Sequence, residues 1–297
     1  MKCYYPESFG INRLQELKHQ RQVTISLGLP ALNEAPTIGK VIECAQSCQP
    51  LVDEIMVFDS GSTDNTVAVC RQYGLPVVVD QEVATKLGVP LARGKGWNLW
   101  SSVSYLKGDF ILWIDTDIEN ISPIFILGIV APFLIDPQVK FVKGFYKRPK
   151  GDARVTEILV RPFLNLLFPE TAEFIQPLAG EYGGTRDFLE SAVFYSGYSV
   201  EVAILLQAIL EYGPNCVAQS FLNERIHPLQ DVPSLGRMGA SILHTLLHLA
   251  QQYNRLDLNV GIPGQIKVFD AITGQKDISS EIISIADNPL PRVIDIR

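Results

Sequence analysis

Apolar runs that break abruptly into polar residues recur along the chain, and the sharpest is Phe110-Ile-Leu-Trp-Ile-Asp-Thr-Asp117. It reads as a buried central strand whose far end leaves the hydrophobic layer. Val23-Thr-Ile-Ser-Leu-Gly-Leu-Pro30 alternates, is rich in β-branched residues and stops at Pro30-Ala-Leu-Asn-Glu34, so it predicts a first strand. A helix is expected from Pro36 to Ala45, with the proline near its first turn. Glu54-Ile-Met-Val-Phe-Asp59 predicts a second strand that breaks at Ser60-Gly-Ser-Thr-Asp64, where Thr63 or Asp64 caps a helix running to Tyr73. A short third strand covers Leu75 to Val79. From Gln81 the chain reads as a loop carrying Arg93-Gly-Lys-Gly96, then as a helix over Trp97 to Leu106.

Beyond the Phe110 strand, Val139 to Arg148 predicts another, with Lys143, Lys147 and Arg148 marking its ligand side. Glu157 to Phe168, Val202 to Glu211 and Ser234 to Gln252 have helical periodicity, and Met1 to Gln22 is polar with a helix near Leu14 to His19. Pro177 to Gly184 is punctuated by glycine and proline and reads as irregular. The most apolar window, Ile121 to Ile135, is too short to cross a bilayer and contains Pro123 and Pro132, so it is assigned to the core. Strands alternating with helices across short connections predict an α/β fold, a mostly parallel Rossmann-like sheet flanked by helices, with a helical C-terminal subregion. No linker composition interrupts it. The expected divisions are an N-terminal extension (1–22), a first half (23–138), a second half of the same domain (139–255) and a tail (256–297).

Composition narrows the function. The net charge of −7 argues against a nucleic-acid binder, whose footprint is basic, and leaves any anionic ligand to a local cluster of Arg and Lys or to a metal. Five cysteines with no CxxC pair fit reduced thiols, and the N-terminus has no signal-peptide pattern, so a cytoplasmic protein away from the membrane is expected. The first strand is not followed by GxGxxG, and no GxxxxGK[ST] occurs, which removes the glycine-rich routes to a nucleotide. Asp115 and Asp117 supply another route. On an extended backbone, residues two apart point the same way, so both carboxylates face one hard cation and a ligand's phosphates, beyond the strand end where open α/β sheets bind ligands.

Pro30-Ala-Leu-Asn-Glu34, Asp59-Ser-Gly-Ser-Thr-Asp64 and Asp115-Thr-Asp117, on three successive strand ends, resemble a GT-A nucleotide-sugar glycosyltransferase. Further motifs narrow the resemblance to the glucosyl- and mannosyl-3-phosphoglycerate synthases of glycosyltransferase family 81. These are Arg93-Gly-Lys-Gly96, Val142-Lys-Gly-Phe-Tyr-Lys-Arg-Pro149, Arg154-Val-Thr-Glu157, Gln176-Pro-Leu-Ala-Gly-Glu-Tyr182 and Gly197-Tyr-Ser-Val-Glu201. The similarity covers about residues 23 to 250. It implies a GT-A fold, dependence on Mg²⁺ or Mn²⁺, transfer with retention of configuration and a homodimer. The reaction it implies moves glucose from UDP-glucose to the 2-hydroxyl of 3-phosphoglycerate, with GDP-mannose as the alternative donor. A catalytically altered paralogue that only binds sugar nucleotides is a second alternative. The first half would then bind the nucleotide sugar, and the second would bind the acceptor and complete the metal site.

The same resemblance implies roles by residue. Pro30, Ala31, Leu32, Asn33, Glu34 and Ser60 would hold base and ribose, with Asp115 and Thr116 on the ribose side. Lys95, flanked by two glycines that let backbone approach a ligand, and Arg225 would meet the diphosphate. Asp117 and His227 would ligate the cation. Arg154, Thr156 and Leu178 would bind the acceptor, with Arg154 and Thr156 suited to its phosphate. Glu201, Lys95 and Asp117 would form the catalytic set. Two departures bear on the acceptor: Leu229 stands where the family has Asn, and the loop Lys150-Gly-Asp-Ala153 is short.

Overall fold

The computed structural model describes residues 2–5, 10–148, 154–258, 260–269 and 280–296; the loop 150–153 lies outside the described residues. Alternation along β5 (Phe110–Trp113) explains the central layer. Phe110, Leu112 and Ile114 pack on one side of the sheet and Ile111 and Trp113 on the other, so a strand apolar at every position serves two cores. On the first side it meets α2 (Ile38–Ser47) and α6 (Pro123–Ile135) through Ile38, Val41, Phe125 and Phe133. On the second it meets α5 (Lys95–Tyr105), α8 (Arg186–Ser191) and α9 (Val200–Tyr212) through Trp97, Phe188 and Ile204. α6 is buried on nearly every side, as the apolar window required, and no described helix is long and apolar enough to cross a membrane.

Eight strands form one sheet in the order β1-β8-β6-β7-β5-β2-β3-β4. β2 (Ile25–Ala31), β3 (Glu54–Asp59), β4 (Val77–Val79) and β5 are parallel neighbours. β6 (Phe141–Lys147), β8 (Val217–Glu224) and β1 (Lys2–Tyr4) are parallel to one another, and β7 (Tyr182–Thr185) runs against both β5 and β6. From β2 the chain proceeds outward to β3 and β4, then returns to β5 on the other side of β2. The crevice beyond the carboxyl ends of β2 and β5 is therefore a topological switch point, the usual ligand position in such sheets. A third core joins α9 to α7 (Arg161–Leu167) and to α10 (Val232–Gln252), forming the helical wall above that crevice. β9 (Gln265–Phe269) and β10 (Ser280–Ser284) make a separate antiparallel pair.

Several expectations are corrected. The segment from Gln81 is not a loop at its start: α4 (Asp80–Leu87) occupies it, followed by Gly88 in the left-handed region. The punctuated stretch before Gly184 ends in a full strand, β7, because two neighbours offer it ladders on both edges. β1, α3 (Thr66–Gln72) and α1 (Ile11–Arg21) complete the elements; Asn65, not Thr63 or Asp64, is the residue at the start of α3, while the Asp64 carboxylate accepts from the Thr66 amide at 2.9 Å. Lys143 does not mark a ligand-facing surface. It is 1% exposed, inside the sheet.

Candidate active site

The three polar strand ends are knitted into one floor. Thr116 Oγ1 donates to the Pro30 carbonyl at 2.7 Å, tying the end of β5 to the end of β2, and the Ser60 amide donates to the Ala31 carbonyl at 2.9 Å, tying in β3. Asn98, buried on α5, donates to the Phe58 carbonyl at 2.8 Å and to Ser60 Oγ at 3.1 Å. Above this floor opens a cleft of about 540 Å³, in the size range of small-molecule sites. It is lined by every residue assigned above to donor, acceptor, metal or catalysis except Asn33. Asn33 faces the neighbouring loop instead, where its Oδ1 accepts from the Thr63 amide at 2.8 Å and its own amide donates to Ser62 Oγ at 2.8 Å.

Lys95 is placed by its glycines, though not for the reason expected. A Cβ on Gly96 would lie 1.7 Å from the Tyr195 carbonyl oxygen, and one on Gly94, at φ +116°, 2.7 Å from that of Ser196. The backbone they bring close is the protein's own 195–197 segment, to which the Gly96 and Trp97 amides donate. Held there, Lys95 Nζ lies 2.7 Å from Asp115 Oδ1 and 2.7 Å from Glu201 Oε1. Glu201 comes from the first turn of α9, so this row of charges bridges the strand-end floor and the helical wall. Burial alone would lower the Lys95 ammonium, but Asp115 and Glu201 raise it well above the ordinary lysine value. Burial likewise pushes the Asp115 carboxyl up, and Lys95 and Arg225 outweigh that and hold it at about 2. Gly180 makes room for it, since a Cβ there would sit 1.9 Å from Asp115 Oδ2.

Asp117 and His227 line the same cleft because their segments are clamped together. The Glu119 amide donates to the Ile226 carbonyl at 2.9 Å, the Ile226 amide to Asn120 Oδ1 at 2.8 Å, and Asn120 Nδ2 to the Glu224 carbonyl at 2.8 Å. Arg225 projects between them, with Nη2 at 2.6 Å from Asp117 Oδ1 and 3.2 Å from Asp115 Oδ2. Behind it stand Tyr146, whose hydroxyl is 2.9 Å from Nη1, and the fully buried Glu181, 3.5 Å from Nε. At the end of β2, burial and then the nearby Asp117 push the Glu34 carboxyl up to about 7, so near neutral pH a protonated fraction is able to donate a hydrogen bond.

Arg154 and Thr156 enter the cleft from the helical segment that leads into α7, which is π-helical over Thr156–Val160, and Leu178 lines the same cleft. The Arg154 guanidinium donates to the Gln230 carbonyl at 3.1 Å. Arg148, read from the sequence as marking the ligand side of its strand, lines the cleft, as do Arg93, Asn98 and Tyr198, which were assigned no role from the sequence. Arg93, Lys95, Arg148, Arg154 and Arg225 together gather cationic side chains in one cleft of an acidic protein, the local cluster an anionic ligand needs.

The family model for glycosyl transferase family 2 matches residues 26–159. A glucosyl-3-phosphoglycerate synthase of Petrotoga mobilis is 39% identical over 295 residues, covering 95% of this chain and 90% of the relative. The chain belongs to the glucosyl-3-phosphoglycerate synthase family. It has that family's GT-A fold: the Mycobacterium tuberculosis synthase in complex with Mn²⁺ and UDP-glucose matches with a TM-score of 0.88 at 33% identity, over 100% of this chain and 99% of that one. The same synthase with Mn²⁺, UDP-glucose and phosphoglyceric acid matches with a TM-score of 0.85 at 32% identity, over 97% and 96%.

The donor set fits a cation of the kind present in those relatives. Among the described residues no three or more His, Cys, Asp or Glu side chains converge into a complete cage. Asp117 and His227 would offer one carboxylate and one imidazole, a pair that suits Mn²⁺.

Proposed function

We propose that this member of the family transfers glucose from UDP-glucose to the 2-hydroxyl of 3-phosphoglycerate, with retention of configuration and with a divalent cation. The observation that carries the reading is the single cleft itself. The acid pair Asp115 and Asp117, the bridging cations Lys95 and Arg225, and the Arg154–Thr156 pair all open into it from different elements. In this reading residues 23–138 supply the donor half, and residues 139–255 the acceptor half and the completion of the metal site.

Pro30, Ala31, Leu32, Glu34 and Ser60 bind base and ribose at the ends of β2 and β3, with Asp115 and Thr116 beside them. Asp117 and His227 hold the cation, which when bound supplies positive charge that stabilises the departing diphosphate. Arg225 pairs with diphosphate oxygens in place of the acid pair. Arg154 and Thr156 bind the acceptor phosphate, with Leu178 packing beside it. The acceptor oxygen bonds to the anomeric carbon on the face from which UDP departs, while the bond to the leaving phosphate oxygen breaks. Lys95 meets the charge growing on that oxygen, and the Glu201 carboxylate orients the sugar and takes the hydroxyl proton. The same reading includes a cytoplasmic homodimer, for which Ile158 and Leu166, exposed two turns apart around α7, offer an apolar face.

The test is a donor-by-acceptor screen with Mg²⁺, Mn²⁺ or chelator. UDP release is expected only when UDP-glucose, cation and 3-phosphoglycerate are all present, with anomeric configuration retained in the product. Faster turnover with GDP-mannose would reject the donor, and turnover only with another acceptor would reject 3-phosphoglycerate.

A further inference from the structure

Beneath the row of charges formed by Asp115, Lys95 and Glu201 lies a lysine to which the reaction above gives no role. Lys143 projects from β6 into the protein and is 1% exposed. Its ammonium rests on the ring of Tyr182, its cross-strand neighbour on β7, 4.1 Å from the centroid. Among the described residues its one side-chain hydrogen bond is long, 3.4 Å to the main-chain carbonyl of Glu201. No described carboxylate forms an ion pair with it. Enclosed like this, an ammonium is costly, and burial pushes it down to about 7 against the pull of Glu201. An apolar residue would fill the same space at lower cost. Groups kept at the expense of stability concentrate where a protein acts on its ligands.

The surroundings say what this one acts on. The charged groups around Lys143 are Glu201 from α9, Lys95 from α5, Glu181 from the approach to β7 and Asp115 from the end of β5. Its contact falls on the carbonyl of Glu201, in the first turn of α9, where the side chain of the same residue reaches Lys95. We propose that Lys143 is a positioning residue for the transfer: from beneath the cleft it anchors the first turn of α9. It thereby fixes where Glu201 presents its carboxylate to Lys95 and to the sugar. The inference rests on the function proposed above, because it concerns the placement of a group in that reaction.

The test separates placement from folding. Lys143→Met is close in length and apolar; Lys143→Arg keeps charge and donors; Lys143→Gln serves if the methionine variant does not accumulate. Each is assayed for turnover with UDP-glucose, Mn²⁺ and 3-phosphoglycerate, for UDP·Mn²⁺ affinity and stoichiometry by calorimetry, and for Tm. In Lys143→Met, or Lys143→Gln, kcat is expected to fall by about tenfold to a hundredfold, the loss typical of a misplaced reacting group. UDP·Mn²⁺ affinity stays within about threefold at full stoichiometry, because Asp117, Arg225 and His227 are untouched, and Tm does not fall. Lys143→Arg recovers part of kcat. Wild-type kcat per UDP-binding site in the neutral variants, or joint loss of kcat, stoichiometry and Tm, would overturn the positioning role. A wild-type protein that binds UDP·Mn²⁺ but turns over no 3-phosphoglycerate would instead overturn the reading of the site, and this inference with it.

Discussion

A single nitrogen of Arg225, Nη2, is shared by two acids, 2.6 Å from Asp117 Oδ1 and 3.2 Å from Asp115 Oδ2. The guanidinium thus neutralises Asp117, the carboxylate proposed to hold the divalent cation. A cation binding alone has to compete with it, whereas a nucleotide diphosphate offers Arg225 a second partner and leaves Asp117 open to metal. Mn²⁺ and UDP are therefore expected to bind cooperatively, each tightening the other by about tenfold or more, within the usual range of such couplings. Calorimetry of Mn²⁺ with and without UDP measures this. Arg225→Met is expected to shrink the coupling, and Asp117→Asn to remove cation-dependent UDP binding altogether. Equal Mn²⁺ affinity with and without UDP would refute the competition.

Lys95 is the cation that Asp115 and Glu201 share. With Asp115 and Glu201 each 2.7 Å from its ammonium and all three side chains at most 18% exposed, removing the cation leaves two carboxylates facing one another in a poorly solvated space. Lys95→Met is expected to lose about 3 kcal/mol of stability, the cost of breaking a buried ion pair from one side. It should also lose roughly a hundredfold or more in kcat, as when one group that stabilises developing charge is removed. Urea denaturation and steady-state kinetics check the two effects separately. Unchanged stability would mean that the triad is solvated in solution.

The site's three strand ends were legible because each is a place where an apolar run stops at a polar cluster, and the topology then puts consecutive βα ends side by side. The meeting of Asp117 and His227 in one cleft was legible only by resemblance. Nothing local says that residues 224–227 lie against residues 119–120; that comes from three hydrogen bonds between distant segments. β7 was missed because Tyr-Gly-Gly-Thr has little strand propensity of its own and is ordered by the two strands flanking it. β8 was missed because its Gln219 and Ser220 are polar yet buried, with Gln219 satisfied by the Ile175 amide and the Glu173 carbonyl. α4 is too short to show a clear helical period. Asn33 and Lys143 depart from expectation for one reason: a polar residue beside a ligand site was taken to face it, when one bonds a neighbouring loop and the other a carbonyl in the first turn of α9.

Gly96 tests whether close backbone approach, and not flexibility, places Lys95. A side chain there has no room, with the Tyr195 carbonyl 1.7 Å from where its Cβ would be, and that obstacle is backbone that cannot rotate away. Gly96→Ala is expected to push α5 off the 195–197 segment, breaking the Gly96–Gly197 and Trp97–Ser196 hydrogen bonds. A loss of about 3 kcal/mol or more follows from such overpacking combined with lost buried hydrogen bonds. A thermal melt reads it, and an unchanged Tm would show that the two segments do not touch in solution. Gly61, at φ +90° but with nothing within 4 Å of a Cβ, is the contrasting position. Alanine there meets only the strain of its backbone angle, a cost nearer 1 kcal/mol.

The buried Lys143 also predicts how stability varies with pH. Its folded value, about 7, lies below the value of 10.5 it has when exposed, so above pH 7 the folded chain carries fewer protons than the unfolded one. Stability contributed at this position is therefore greatest above pH 10 and declines as pH falls toward 7. Below that the full cost of enclosing an ammonium is present. A Lys143→Met variant has no such cost. Its stability relative to wild type should be largest at pH 6, by about 5 kcal/mol at some 1.4 kcal/mol per pKa unit, and should shrink toward zero near pH 10. Urea titrations of both proteins at pH 6, 8 and 9.5 measure the trend. A difference independent of pH would mean that the ammonium is hydrated in solution, whereas a methionine variant that is more stable at pH 6 and slower in turnover identifies a charge retained for the reaction and not for the fold.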